Sequence, residues 1–342
     1  MKKMLLAVAL LAALTGAAWA QTIDFGALET SFQGFADGVA NSLPISASIG
    51  LNWSHAYIGQ FPHFGVGVTV GGMFLPYEII EPIIAELGSG TTVPQELQTY
   101  GIPFPTIAAG ARLGGFGLPF DMGFKFAVIP EDAKELFSSN ITADYFLIGG
   151  DVRLPVVKGK GLIPTLSIGG GYTFIRGRIG ITDVSSGETI DITTMMNNAG
   201  YSAATLYELI FTDPDLVFSW DTHTIEAKAQ ASWNALIFTP SIGIGAAYGI
   251  SNAGGGLSSA MVYQEDGTPV SDLTDLQDAF AYYGYPAPTA SGFEVVSDAN
   301  GWSFWVFGGT AINLFFIKID LSAMYNFLNG DYGGSVNVRV QL

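Results

Sequence analysis

The chain of 342 residues contains no cysteine, which excludes a disulfide framework, a thiolate metal site and a lipid-modified N-terminal cysteine. Positive charge is also scarce, since 13 Lys and Arg stand against 30 Asp and Glu. A chain this acidic is a poor nucleic-acid binder, because a phosphate backbone attracts basic surface. A phosphate-binding loop pattern is absent as well, and no cofactor is indicated.

The first twenty residues predict a secretory signal. Lys2 and Lys3 precede an uncharged run at residues 4–14, and residues 18–20 (Ala-Trp-Ala) form the small-x-small pattern that signal peptidase accepts. The run is too short to cross ~30 Å of hydrocarbon as a membrane anchor. We therefore expect cleavage before Gln21 and export of the remaining chain.

Apolar residues alternate with small and polar residues at period two, which is the spacing of a β-strand. The clearest case is residues 225–248, where two such segments flank the turn Asn234-Ala235 and their apolar faces coincide when folded about it. The pattern recurs along the chain. Eleven strands are predicted, at residues 45–54, 64–71, 107–114, 120–128, 141–153, 162–174, 224–233, 236–248, 302–313, 315–327 and 335–342.

Strands with one apolar and one polar face fit either a soluble β-protein or a membrane barrel, whose outside touches lipid. Low charge (13%), high apolar content (49%) and 44 glycines favour the barrel. Short links at 234–235 and near Asn313 also alternate with long segments at 182–222 and 251–301, as in outer-membrane barrels. The predicted fold is all-β: a transmembrane antiparallel up-and-down β-barrel over residues 44–342, with long acidic outer loops.

The expected strand number is about 12, within a range of 10–14. Bacterial single-chain barrels have an even number of strands, so eleven recognised strands suggest that one is missing. The candidates for it are residues 258–264, 292–297 and 178–194.

Two segments leave alternatives open. In residues 21–43, apolar residues from Phe25 to Val39 recur every three or four positions, which predicts a short amphipathic helix. This helix could plug the barrel mouth, or lie in the periplasm as a helix or frayed terminus. Residues 299–317 are uncharged and could form a transmembrane helix, but Gly308, Gly309 and the β-branched and aromatic content favour a strand.

The strand pattern turns a small set of charged side chains toward the lumen. They could set a local field that selects solutes, or pair across a narrow lumen and only satisfy one another. The same face is rich in Gly, Ser and Thr, which favours an open or ligand-filled lumen. The predicted lumen-lining residues are Arg112, Asp121, Lys125, Glu226, Lys228, Lys318, Asp320 and Arg339.

No Lys or Arg lies between Arg178 and Lys228, or between Lys228 and Lys318, and the two long segments there are acidic. They could bind divalent cations or attract cationic solutes, or simply form a solvated outer surface. Asp221 and His223 share one face of a strand and raise the alternative of an outer-membrane hydrolase. No nucleophile signature accompanies them, so we assign neither catalytic nor metal-binding residues.

The signal, the strand repeat and the alternating final strand, residues 335–342, together resemble Gram-negative outer-membrane β-barrels. This resemblance implies location in the outer membrane and recognition of the last strand by the barrel-assembly machinery. Here that strand ends in Leu342, where the class usually has an aromatic residue. The amphipathic segment before the first strand, the Gly-rich strands and 24 phenylalanines resemble the long-chain fatty-acid transporter (FadL-like) type, although its N-terminal Asn-Pro-Ala motif is absent.

These observations predict a monomeric channel or transporter for small molecules, with hydrophobic compounds as candidate ligands and outer-membrane lipid as the surroundings. No enzymatic activity is expected. The alternatives are a surface-exposed structural or adhesion barrel with a closed lumen, and the hydrolase.

Overall fold

The computed structural model of the chain describes residues 25–342 apart from 80, 83–94, 130–140, 182–187 and 286. The predicted signal peptide, residues 1–20, lies outside the described residues. The elements in chain order are α1 (Phe25–Ser46), β1 (Phe64–Leu75), a 3-10 turn (Tyr77–Ile79), α2 (Gln95–Tyr100), β2 (Ile102–Gly114), β3 (Asp121–Ile129), β4 (Ile141–Val157), β5 (Thr165–Ile181), β6 (Glu188–Asp191), α3 (Thr193–Asn198), β7 (Tyr207–Ser232), β8 (Phe238–Glu265), β9 (Thr268–Val270), α4 (Thr274–Tyr283), β10 (Gly292–Leu314), β11 (Ile317–Asn326) and β12 (Tyr332–Gln341).

Ten strands close into one antiparallel ring, in the order β1-β2-β3-β4-β5-β7-β8-β10-β11-β12 and back to β1. The short strands β6 and β9 pair with β7 and β8 outside this ring. The prediction of a closed antiparallel up-and-down barrel is confirmed. The central expectation of about twelve barrel strands is not met, because the ring contains ten, which lies within the expected range of 10–14.

The two ends of the barrel differ. Short turns at 115–120, 158–164, 233–237 and 315–316 lie at one end, which we call the inner end. The opposite, outer end carries the links 76–101, 182–206 and 266–291. The outer link at 327–331 is also short, so the predicted alternation of short inner turns and long outer links holds at 76–101, 182–206 and 266–291 but not there.

Residues 45–54, predicted as the first strand, do not form one. Helix α1 ends at Ser46 and a run of turns follows it. Side chains at both odd and even positions are buried, among them Ile45, Ala47 and Ser48. The segment lies inside the barrel and therefore has no lipid-facing side, so its period of two was misleading. The other ten predicted strands correspond to the ten strands of the ring, and no ring strand was missed.

The two segments predicted as long outer loops consist largely of strand. Strands β7, β8 and β10 contain 26, 28 and 23 residues, and 28 residues of strand extend to roughly 90 Å. The candidates at 258–264 and 292–297 are parts of β8 and β10. Above the membrane the outward side of a strand meets water, as at Asn252 and Asp298, so the apolar outward face that marks the membrane part is lost.

The outer parts of β7 and β8 form a small module with β6, β9, α3 and α4, and this outer module has an apolar core of its own. Its core residues are Ile190, Ile192, Met196, Tyr207, Leu209, Met261, Tyr263, Leu276, Ala279 and Phe280.

Large apolar side chains cover the outward face of the ring, such as Val66, Phe124, Ile168 and Ile244. Charged side chains such as Arg112 and Lys125 point inward and are buried. This is the reverse of a soluble domain and is the arrangement of a barrel that faces lipid. The transmembrane-helix alternative for residues 299–317 is wrong, because residues 292–314 form β10. Among the described residues, no helix is long and apolar enough to cross a membrane.

Candidate functional site

Residues 25–58, which we call the plug, cross the lumen from the outer end to the inner end. Near the outer end, the ring of Phe35 lies 4.5 Å from that of Phe218, which pairs with Ile179 close to the outer end of β5. Near the inner end, the ring of His55 lies within hydrogen-bond distance of Thr239 and Arg339. The chain then leaves the lumen and turns back into β1. The plug therefore enters at the outer end.

The wall of the inner lumen carries a buried ionic network. Asp121 Oδ1 lies 2.6 Å from Arg112 Nη1 and 2.9 Å from Arg153 Nε. Arg112 Nη2 also lies 2.7 Å from Asp151 Oδ1, whose second oxygen is 2.9 Å from Lys228 Nζ. All five side chains are almost inaccessible to solvent. In these surroundings each charge needs its partners, because an isolated buried charge is strongly unfavourable.

The same wall residues bind the backbone of the plug. Residues 47–58 form neither helix nor sheet, so their backbone groups need other partners. The wall supplies both donors and acceptors. The contacts are Lys125 Nζ to the carbonyls of Ala47 and Ile49, Arg112 to Leu51 O (3.1 Å), Gln230 to Trp53 O (2.7 Å), Arg153 to His55 O (2.8 Å), Ser54 N to Asp320 (2.8 Å), Ala56 N to Ser232 (3.0 Å) and Ile58 N to Asp121 (3.0 Å).

Most of the predicted lumen-lining residues belong to this assembly. Seven of the eight are buried inside the ring, and Arg339 pairs with Asp320 near the inner end. The exception is Lys318, which is partly exposed and donates to Phe315 O at 3.0 Å. These side chains pair with one another, as in the interpretation that they satisfy one another across a narrow lumen. They also bind the plug, which neither interpretation included.

Sequence reasoning missed Asp151 and Arg153, which complete the network. Both lie within the predicted strand 141–153, and their odd numbers place them opposite the outward residues Ile148 and Val152. The period-two pattern therefore contained the signal, although this strand was the less regular one. Gln230 was missed because an uncharged side chain does not stand out among the polar residues of its face.

The outer lumen is apolar. Helix α1 packs there through Ala36, Val39 and Leu43 against side chains that point inward from the ring. A water-filled channel has a polar interior, so the apolar lining of the outer lumen differs from that of such a channel. The wall residues of this zone are Met73, Phe104, Tyr145, Leu147, Ile175, Trp220, Trp305, Phe307 and Met324.

Two tryptophans of the outer lumen lie flat over glycines of the neighbouring strand. Trp220 pairs with Gly177, and Trp305 pairs with Gly245. A Cβ atom at either glycine would collide with the indole ring. Both tryptophans are buried, and neither indole N–H has a hydrogen-bond partner among the described residues.

Replacing Gly245 by alanine should destabilise the barrel by about 1–3 kcal/mol, since the added methyl group overpacks against Trp305. The matched control is Gly308→Ala on β10, where the nearest atom would be an ordinary contact at 3.5 Å. The measurement is the urea midpoint of unfolding in lipid vesicles. Equal midpoints for the two variants would contradict the packing described here.

The hydrolase candidates, Asp221 and His223, lie on the outer surface of the barrel and have different partners. His223 Nδ1 lies 2.6 Å from the hydroxyl of Tyr172, while Asp221 accepts from Arg176 at 2.6 Å. The two side chains do not form an acid–base pair. Within the described ranges, no cluster of three or more His, Asp or Glu side chains is arranged to hold a metal ion.

No family model and no curated protein match the sequence. Solved structures that match include the translocator domain of the autotransporter NalP from Neisseria meningitidis (11% identity, covering 91% of this chain and 99% of that one, TM-score 0.35). The toluene transporter TbuX from Ralstonia pickettii (11%, 96% and 95%, 0.25) and a FadL homologue from Pseudomonas aeruginosa (9%, 91% and 97%, 0.27) also match.

At such scores and identities these similarities carry no argument. The ring, its apolar exterior and its charged interior define the class of the chain, which is an outer-membrane-type β-barrel. Within that class it is a ten-stranded barrel whose lumen holds its own N-terminal segment.

Proposed function

We propose that the barrel admits small hydrophobic molecules at its outer end and passes them on when the plug shifts. The observation that carries this proposal is the apolar outer lumen, which includes Trp220, Trp305 and Phe307. Apolar and aromatic walls with a few polar groups are typical of sites for small hydrophobic ligands. The unpartnered indole N–H groups would supply the polar contacts.

A molecule that enters the outer lumen must also pass the inner lumen to cross the barrel. There the plug and the ionic network fill the space between the walls, so a molecule can pass only if residues 47–58 move. Each hydrogen bond between plug and wall contributes about 1–3 kcal/mol net, with the larger values where the wall group is charged. The wall strands, in contrast, are joined by continuous ladders of backbone hydrogen bonds. Release of the plug is therefore the least costly way to open the barrel.

Binding of the hydrophobic fluorophore N-phenyl-1-naphthylamine tests this proposal. Trp305→Ala and Trp220→Ala should each weaken binding by about tenfold or more, because each removes a buried aromatic wall of the site. The control is Trp302→Ala, since Trp302 is 55% exposed on the outward face of the same strand as Trp305. All three proteins must retain heat-modifiable migration in gels. Equal affinity of Trp305→Ala and Trp302→Ala would remove the outer lumen as the site.

A second candidate function is a closed structural barrel at the cell surface. Its support is the number of contacts that hold the plug over the whole inner lumen. Such a barrel would neither bind the fluorophore in its lumen nor transfer it into liposomes. Liposome swelling and single-channel recording on the refolded protein separate the two candidates.

A further inference from the structure

The short turns of the inner end all expose large apolar side chains. Leu162, Leu236 and Phe315 are 95%, 102% and 96% exposed, which is close to the exposure in an unfolded chain. Contiguous apolar surface of this kind marks a contact with another apolar phase. The exposed turn residues are Phe116, Leu118, Leu162, Ile163, Leu236, Ile237, Phe315 and Phe316, and we call this set the inner rim.

Two of these residues occupy strained positions. Leu236 and Phe315 have φ angles of 53° and 52°, in the left-handed region where tight hairpin turns normally place glycine. Glycine does occupy the positive-φ positions of the other two short turns, at Gly117 and Gly161. At Leu236 and Phe315 the chain therefore keeps a large apolar side chain at the tip at the expense of backbone strain.

The height of the outward apolar band indicates what surrounds the inner rim. On β11 it runs from Ile317 to Phe327, eleven residues, or about 25 Å along the barrel axis for tilted strands, which is the height expected of an outer-membrane barrel. The turn residue Phe315 extends it further at the inner end. On β12, Leu342 extends the band below Val340 in the same way. The inner rim therefore continues this band beyond the strand ends, since Leu236 and Ile237 adjoin the exposed Phe238, and Phe315 and Phe316 adjoin the exposed Ile317.

Charge at the inner end has one sign. Lys158 and Lys160 are exposed next to the rim residue Leu162. Among the described residues, the acidic side chains of the inner half, Asp121 and Asp320 included, are buried in the lumen. Exposed acidic side chains such as Asp266 belong to the outer half. An apolar rim flanked by lysines complements an anionic lipid leaflet.

We propose that the inner rim is inserted in a leaflet that contains anionic phospholipid. The turn tips lie among the acyl chains, and Lys158 and Lys160 bind the lipid phosphates. The turns of this end are therefore not in the aqueous compartment, and the plug leaves the lumen at the level of the lipid headgroups. The inference does not depend on what the barrel transports.

The absence of cysteine makes the depth of the rim directly measurable. Leu236→Cys and Leu162→Cys carry a nitroxide label in vesicles of phosphatidylcholine and phosphatidylglycerol (7:3). Both labels should be more accessible to oxygen than to a water-soluble nickel chelate. The control is Ala203→Cys, an exposed position of the outer module, which should show the opposite preference. Rim labels that resemble the control overturn the proposal, and so do rim labels protected from both reagents, which would place the rim in a contact between protein molecules.

The lysines are tested by the association of spin-labelled lipids. Wild-type protein should select phosphatidylglycerol over phosphatidylcholine by about fivefold at the rim, since one interfacial lysine is sufficient for a preference of this size. The double variant Lys158→Gln/Lys160→Gln should lose most of it. Arg176→Gln/Arg178→Gln removes the same charge from exposed positions of the outer half and should retain it. An unchanged preference in the lysine variant overturns the assignment of the phosphates to these lysines.

Discussion

Replacing Asp121 by alanine should cost about 3–5 kcal/mol in the free energy of unfolding. The carboxylate accepts from both Arg112 and Arg153 and also from the backbone N–H of Ile58 in the plug. Its removal leaves two buried guanidinium groups without part of their counter-charge in a site that water does not reach. Loss of a buried partner is costly because the remaining charge cannot be solvated. We also expect the inner part of the plug to detach, since Ile58 loses its acceptor.

The matched control is Asp221→Ala, which removes the same side chain from another pair with the same 2.6 Å separation. Asp221 and Arg176 lie on the outer surface, where their side chains are 41% and 63% exposed. Water and salt screen such a pair, so this variant should unfold at nearly the wild-type midpoint. The measurement is urea unfolding in vesicles, followed by gel mobility and tryptophan fluorescence. Similar losses for both variants would mean that burial of the network is not what makes it important.

Locking the plug to the wall should abolish transfer of the fluorophore into liposomes. Pro44 of the plug faces Gly249 of β8, and a Cβ atom at Gly249 would lie 3.6 Å from that of Pro44. This separation fits a disulfide bond. The double variant Pro44→Cys/Gly249→Cys should therefore cross-link under oxidation, and no other thiol competes in this chain. Oxidised protein should still bind the fluorophore, because the outer lumen is intact, but should not pass it on until a reductant is added.

The two single-cysteine variants control for the substitutions themselves and should transfer the fluorophore with or without oxidant. Equal transfer by the oxidised and reduced double variant would show that passage does not require the helix to move near Pro44. If the wild-type protein itself transfers nothing, the closed structural barrel becomes the better proposal.

The lipid-facing part of the fold was predictable because its signal is local. A strand between lipid and lumen has an apolar environment on one side and a polar one on the other. Apolar residues such as Ile225 therefore alternate with polar residues such as Glu226. The predicted resemblance to outer-membrane barrels is confirmed at the level of this architecture. Signal cleavage, the monomeric state and recognition by the barrel-assembly machinery stay predictions.

The plug was predictable only in part. Helical spacing identified α1, but the alternation from Ile45 to Trp53 predicted a strand where the structure has turns. A segment enclosed by a barrel meets protein on every side, so its periodicity does not report its conformation. Its shape depends on partners distant in sequence, such as Lys125 and Gln230. The alternation of odd and even positions indicated which charged residues face the lumen. It gave no indication that these residues bind the backbone of the plug.

One residue, Arg339, connects the plug to the strand that closes the ring. Strand β12 joins β1 and closes the ring, and its Arg339 binds both His55 of the plug and Asp320 of β11. The pair with Asp320 lies within the β11–β12 hairpin, whereas the contact with His55 forms only when the N-terminal segment is threaded. A barrel that closed without its N-terminal segment would therefore bury Arg339 beside Asp320 with its histidine partner missing.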